Sequence, residues 1–291
     1  MDEATAFAPG HVTAFFAPYP DDDPARAGSR GAGLALSDGV EATVRRVDDA
    51  DAATADSAAD GGLAGLELDG VPAEMEPVRR VLAELRVVAE VEVSSEVPVG
   101  AGFGVSGAAA LATALAANEA FGLRRSENDL VSVAHAAEAA AGTGLGDVVG
   151  QFRGGLPVRL DPGAPDHGRM DGVPARPRVE YVSFGELSTE RVLGGDLDPV
   201  REAGEAALAR LLDSPDEREL VAAGRDFAEE AGLLVPEVAE AVEAVAAEGG
   251  LGSMAMLGRT VYALGTGLSD AGYDATACRV DPTGATLRPT E

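Results

Sequence analysis

The sequence predicts an α+β chain folded as two lobes, and three observations lead there. Residues 39–45 and 87–94 alternate apolar and polar side chains at the period of two that half-buried strands require. A glycine-rich turn at 98–104 runs into a helix-forming stretch, and a second helix follows with no strand between. Residues 161–177 are rich in proline and glycine, and beyond them the pattern restarts with a strand and three alanine- and glutamate-rich helices.

Taken in order, Val40, Ala42 and Val44 face one side of the first strand. Residues 48–62 are acidic, alanine-rich and aperiodic, which suits a solvated loop. A helix over 75–86 leads to a strand with Val91 and Val93 inward and Glu90 and Glu92 outward. The helix over 106–121 ends on Gly122 as a C-terminal cap. A second helix starts at Ser126, with Asp129 three residues on, and ends at Gly142. A short loop then reaches Asp147, Gly154-Gly155 and a strand over 156–160. After the boundary segment come a strand at 178–184, helices between 199 and 248, and a glycine- and methionine-containing turn at 251–258. A hairpin closes the chain, pairing 276–280 with 285–288 about Asp281-Pro282-Thr283-Gly284.

Composition narrows the chemistry. The 291 residues include 50 acids and 22 basic residues, all of them arginine, for a net charge of −28. The absence of lysine and isoleucine fits GC-rich codon usage, but the acid excess fits a cytoplasmic protein kept in solution at multimolar salt, where charges are screened within ~3 Å. Without lysine there is no Walker A loop, no protein-kinase nucleotide lysine and no Schiff-base chemistry. The charge argues against nucleic acid or an anionic membrane as partner, because phosphates need a basic face. The N-terminus lacks a signal-peptide pattern, and no apolar run approaches the ~18 residues of a membrane span. One cysteine, Cys278, leaves no internal disulfide and reads as core.

The strongest local signal is the loop Pro98-Val99-Gly100-Ala101-Gly102-Phe103-Gly104-Val105-Ser106-Gly107-Ala108. Glycines ahead of a helix let backbone N–H groups converge on an anion, and the helix dipole adds partial positive charge. An ordinary strand–helix turn would look similar. Gly102, Gly104 and Gly107 also match a dinucleotide fingerprint, but that fold needs a strand after the helix, and here a second helix follows. On that second helix His135 and Glu138 share a face and are the only polar residues from 134 to 141. Asp147 follows a glycine-flanked loop, where a carboxylate meets a substrate hydroxyl without crowding; by itself an aspartate there also suits a turn.

Together these residues resemble the GHMP kinase superfamily. The glycine loop is similar to its P-x-x-x-G-[LF]-G-S-S-A-A motif, with Val105 and Gly107 as departures and Ser106 as the retained second serine. Pro9-Gly10-His11-Val12-Thr13-Ala14-Phe15-Phe16 resembles its N-terminal motif, with His11 at the usual basic position. Leu251-Gly252-Ser253-Met254-Ala255-Met256-Leu257-Gly258 loosely resembles its third motif. The resemblance implies a two-domain GHMP kinase fold: an N-terminal domain (1–165) like the second domain of ribosomal protein S5, and a ferredoxin-like C-terminal domain (166–291). It implies ATP and Mg²⁺ as cofactors and a small alcohol as acceptor.

On this resemblance Pro98, Gly100, Ala101, Gly102, Phe103, Gly104, Val105, Ser106 and Gly107 hold ATP. Ser106 and Glu138 ligate the metal, and Asp147 takes or orients the hydroxyl proton. For an acidic acceptor, Arg159 is the candidate cation, since it points away from Leu156, Val158 and Leu160 on its strand. His135 flanks the same pocket, and Ser29 and Arg30 are candidates from a flexible loop at 28–33. The acceptor stays open among small hydroxy acids, homoserine, mevalonate and sugars. A GHMP-like protein that binds ligand without catalysis is the alternative from another class, and a homodimer is compatible with the sequence.

Overall fold

The computed structural model describes residues 2–47, 62–186 and 197–289. The loop expected at 48–62 therefore lies, but for Gly62, outside the described residues. The chain runs β1 (Glu3–Tyr19), β2 (Gly28–Arg46), β3 (Leu63–Leu68), β4 (Val71–Pro72), α1 (Glu76–Leu85), β5 (Ala89–Ser95) and α2 (Val105–Phe121). It continues α3 (Glu127–Ala141), α4 (Asp147–Arg153), β6 (Leu156–Asp161), β7 (Arg169–Val173), β8 (Arg178–Ser183), α5 (Asp198–Asp213), α6 (Glu217–Glu230) and α7 (Pro236–Ala247). It closes with β9 (Gly252–Ala255), β10 (Thr260–Leu264), α8 (Gly267–Asp270), β11 (Thr276–Arg279) and β12 (Thr286–Leu287).

The first sheet is ordered β12-β1-β2-β5-β3-β4, with β6 paired to β2 and β7 to β6. Its spine is the long antiparallel pair β1–β2. Register shifts fall between Pro9 and His11 and between Thr13 and Phe15. Such bulges re-aim side chains, and these two bracket the pair that faces the site described below. The alternation read from the sequence holds: Val40, Ala42, Val44, Val91 and Val93 are buried, while Glu90 and Glu92 are exposed.

Against this sheet lies α2, buried on nearly every side between β1–β2 and the helices α1 and α3. Ala108 to Ala110, Ala112, Ala114, Ala116 and Ala117 let those neighbours approach closely. Gly122 ends the helix in the left-handed region (φ 59°), and Ser126 opens α3 by accepting the Asp129 N–H. The second sheet is ordered β11-β8-β10-β9 and packs against α6, α7 and α8, whereas α5 lies on β1 and β2 of the first sheet.

Four local expectations change. The Gly28 to Gly33 segment is not a flexible loop but the start of β2, fixed by pairing with β1 and β6. The stretch expected as a turn at 251–258 contributes β9 to the second sheet, because Thr260–Leu264, which the sequence reading missed, pairs with it. The closing hairpin does not form. β11 joins β8 in the second sheet, whereas β12 pairs with β1 in the first, so the chain's last strands part company. Asp147 opens the short helix α4 rather than ending a loop. The change from the first sheet to the second falls between Val173 and Arg178, and β12 returns to the first.

Candidate active site

Three segments distant in sequence are stitched together by backbone. His11 N donates to Phe103 O (2.9 Å), tying β1 to the glycine loop, and Met256 N donates to Thr13 O (3.0 Å). Thr260 Oγ1 donates to Ala101 O (2.7 Å). A Cβ on Gly258 would run into that same Ala101 carbonyl, so only glycine lets the third segment lie this close. The resulting seam is lined on one side by Gly100, Gly102, Phe103, Gly104, Val105 and Ser106, around a cavity of about 320 Å³. Of the other loop residues, Ala101 and Gly107 are buried behind it and Pro98 is exposed outside it. Phe103 adds only backbone there, since its ring is packed edge-on against Tyr181 (4.7 Å).

Ser106 Oγ, in the first turn of α2, donates to Glu138 Oε1 (2.9 Å). The Glu138 side chain is buried, and its Oε2 has no partner among the described residues. It is wedged between two glycines: a Cβ on Gly107 or on Gly144 would stand 2.7 Å from a carboxyl oxygen or carbon. Gly107, a departure from the superfamily motif, is thus the space the acid occupies. Burial, then the charge of Asp147, pushes the Glu138 carboxyl up to about 8.

Asp147 accepts two bonds on one oxygen, from His11 Nδ1 (2.8 Å) and Thr13 Oγ1 (3.0 Å). Burial opposes its charge, but those bonds and the positive Arg159 outweigh it and hold the carboxyl below its ordinary range. Asp147, Thr13 and Leu257 line both the glycine-loop cavity and a second, smaller one of about 40 Å³. Leu257 does so in the left-handed region (φ 63°), the kind of strained backbone that collects at functional sites.

The smaller cavity is lined by His11, Phe15, Phe16, Ser29, Gly33 and Arg159 among others. Arg159 is buried; its Nη1 donates to Leu145 O (2.8 Å) and more weakly to Ser29 Oγ (3.4 Å). Burial lowers its guanidinium to about 10, still fully charged at neutral pH. Ser29 also donates to Leu145 O (3.3 Å). Arg30 does not reach this cavity. Ser29 and Arg30 are neighbours on a strand, so their side chains leave by opposite faces. Arg30 donates to Leu160 O (2.7 Å) and pairs with Glu205. His135 is buried one layer behind; its Nε2–H donates to Ala27 O (2.8 Å). Desolvation and the nearby Arg159 charge lower it to about 4, so it is a neutral imidazole under the start of β2.

Two groups escaped the sequence reading of the site. His11 and Thr13 were visible only as motif letters, because their partner lies over 130 residues away. Gln151 carried no signal at all. Buried on α4, it donates from Nε2 to Gly104 O (2.9 Å), which also accepts the first helical bond of α2 from Ala108 N. It therefore couples the turn before α2 to the helix that begins at Asp147. Gln151→Leu keeps the volume and deletes the bond, at about 1–3 kcal/mol of loop order. Steady-state kinetics should show KM for ATP raised about tenfold; an unchanged KM would mean the loop holds without it.

The arrangement joins a glycine-rich turn at a helix N-terminus, a buried hydroxyl–carboxyl pair with one open oxygen, an oriented carboxylate and a fixed cation. Against known proteins, the profile of the GHMP kinases N terminal domain matches residues 76–155. A pantoate kinase of Thermococcus kodakarensis is 37% identical over 89% of this chain and 86% of its own. The chain belongs to the pantoate kinase family. A pantoate kinase of Methanospirillum hungatei is 32% identical over 91% of this chain and 88% of its own. A solved structure described as a phosphotransferase related to the CoA biosynthesis pathway superposes with a TM-score of 0.83 at 30% identity, covering 98% of both chains. The homoserine kinase of Cytophaga hutchinsonii shares the fold, with a TM-score of 0.69 at 18% identity over 99% of this chain and 98% of its own. The two-domain α+β architecture expected from the sequence is thus that of the GHMP kinases. Among the described residues no helix is long and apolar enough to cross a membrane.

Proposed function

We propose that this protein transfers the γ-phosphoryl group of ATP to the primary hydroxyl of (R)-pantoate, giving (R)-4-phosphopantoate and ADP on the way to coenzyme A. The observation that carries the reading is the position of Asp147, which with Thr13 and Leu257 lines both the glycine-loop cavity and the smaller cavity that holds Arg159 and Ser29. A phosphoryl donor held on one side and a small hydroxy acid on the other would meet at this carboxylate.

The roles follow from charge. Backbone N–H groups of residues 100–106 would cradle the triphosphate at the start of α2. Glu138 Oε2, unpartnered beside Ser106 Oγ, offers oxygen donors of the kind magnesium takes. Among the described residues no group of three or more acidic, histidine or cysteine side chains could hold a metal, so the remaining ligands would be phosphate and water. Bound there, magnesium would supply neutralisation of the phosphate oxygens.

As the new O–P bond forms and the bond to the ADP oxygen breaks, the acceptor hydroxyl loses its proton to Asp147. Because His11, Thr13 and Arg159 keep this carboxylate anionic, it is always ready to accept; being a weak base, it takes the proton late, as a loose transition state allows. Arg159 would hold the acceptor carboxylate through charge-assisted bonds, with Ser29 beside it and His135 as support. Phe15, Phe16 and Leu257 give the same cavity apolar walls suited to the dimethyl carbon of pantoate. At about 40 Å³ of free space the walls must part for the acceptor to enter.

Arg159→Lys keeps a charge but loses the planar fork. KM for pantoate should rise by about 1.5–3 kcal/mol, roughly 10- to 100-fold, with KM for ATP little changed. Equal changes in both constants would move the carboxylate site elsewhere.

A further inference from the structure

Helix α4 is a wall between two cavities. Asp147 and Gly150 face the smaller one, of about 40 Å³; Val149, Phe152 and Arg153 face another, of about 680 Å³, within the size range of small-molecule sites. Val131 and Met170 complete its apolar lining, and Arg159 fronts it as well.

The charge of this second cavity is unusual for so acidic a chain. Arg153 has no carboxylate partner among the described residues; its bonds go to Gly154 O (3.3 Å) and Gly172 O (3.4 Å), both long. Arg159 is likewise free of any ion pair, and its Nη2, buried, has no hydrogen-bond partner among the described residues. The guanidinium forks. Nη1 is pinned by Leu145 O and Ser29 Oγ, whereas Nη2 is buried near both Gly28 and Gly146, and the residue as a whole lines the larger cavity as well as the smaller one. The other charges nearly cancel: Asp161 is paired with Arg169 (3.1 Å), which leaves Glu127 at the exposed rim. With 50 acids against 22 arginines, Arg153 and Arg159 are two arginines at one cavity with no salt bridge among the described residues, and only Arg159 feels nearby carboxyls, Asp147 and Glu138, which marks this as a place kept for an outside anion.

We infer that this cavity binds a second small organic anion, a carboxylate or phosphate monoester on a short aliphatic body, and that its occupancy weakens acceptor binding through the shared Arg159. The anion meets Arg153 and Arg159, and its carbon chain packs on Phe152, Val149 and Met170. An anion beside Arg159 in this cavity draws on the same positive charge that the acceptor carboxylate uses in the smaller one. By linkage the acceptor weakens the second anion by the same factor. This rests on the proposed role of Arg159 toward the acceptor.

Calorimetry on the nucleotide-free protein with 3-methylbutyrate and 3-methylbutyl phosphate tests the site itself and separates its two headgroup classes. Pantoate saturation curves at saturating ATP test the coupling. At least one probe should bind, and it should raise KM for pantoate to a plateau of about 5- to 10-fold without changing kcat. Arg153→Gln should abolish both the heat and the KM shift while leaving turnover without the probe intact. Met170→Glu, on a different element, should do the same by placing an anion in the cavity. No heat with either probe would overturn the inference. So would inhibition that grows without a plateau and survives Arg153→Gln, which would put the probe in the acceptor cavity. Failure to phosphorylate pantoate would instead sink the function proposed above, while the calorimetry on wild type and Arg153→Gln would still judge this one.

Discussion

Replacing Asp147 by Asn is expected to cut kcat by about 10²–10⁴-fold, the usual worth of a positioned general base. The substitution is unusually clean here. Both bonds from His11 Nδ1 and Thr13 Oγ1 land on one oxygen, Oδ1, and an asparagine carbonyl accepts them equally well. The shape of the junction therefore survives, and what disappears is the negative charge that takes the hydroxyl proton. KM for ATP should stay near its wild-type value, and the melting temperature should show that the fold is kept. Turnover within a few-fold of wild type would remove Asp147 as the base.

Glu138→Gln is expected to separate activity from stability. The acid is ordinary near 4.5 in the unfolded chain and stands at about 8 when folded without metal. A raised group stabilises most below its unfolded value, so stability should fall as pH climbs from about 4.5 to 8 and then level off. Glutamine cannot ionise, so this slope should vanish and the metal-free variant should melt higher than wild type at pH 8. Magnesium must displace the Glu138 proton to bind. Its apparent affinity for wild type should rise with pH up to about 8, with a proton released on binding. In the variant that dependence should disappear, and magnesium affinity should drop by at least the ~10–100-fold that loss of a supporting residue costs a metal site. Melting curves and magnesium titrations from pH 5 to 9 check all of this. Unchanged magnesium affinity would remove Glu138 as a ligand.

The residues that the structure gathers around the two cavities are easier to single out in the sequence than the topology is, and the reasons are local. Ser106, Glu138 and Asp147 announce themselves through contrasts with their neighbours: a serine after glycines, an acid in an alanine run, an aspartate among glycines. Such contrasts need no knowledge of what lies across the fold. The His11 and Thr13 contacts to Asp147 need the pairing of β1 with distant chain, which spacing cannot supply. Gln151 matters only because its amide meets the Gly104 carbonyl, 47 positions earlier.

The misread hairpin has a similar cause. Residues 276–279 and 286–287 have strand character, but strand character does not say which edge a strand joins. β8 and β1 each offered an edge, and the two strands went to different sheets. Arg30 was lost to strand geometry: once residues 28–33 are recognised as β2, alternation sends Ser29 to the cavity and Arg30 away from it. Gly107 makes the opposite point. A departure from the superfamily motif, it makes room for the Glu138 carboxyl.

The central claim is that pantoate is the acceptor, and ADP release tests it most directly. The purified protein would be given ATP and Mg²⁺ in multimolar KCl, with pantoate, pantothenate, homoserine, mevalonate and galactose in parallel. Turnover on pantoate, and on none of the other four, is the predicted result. Turnover on a different alcohol with none on pantoate would contradict the account.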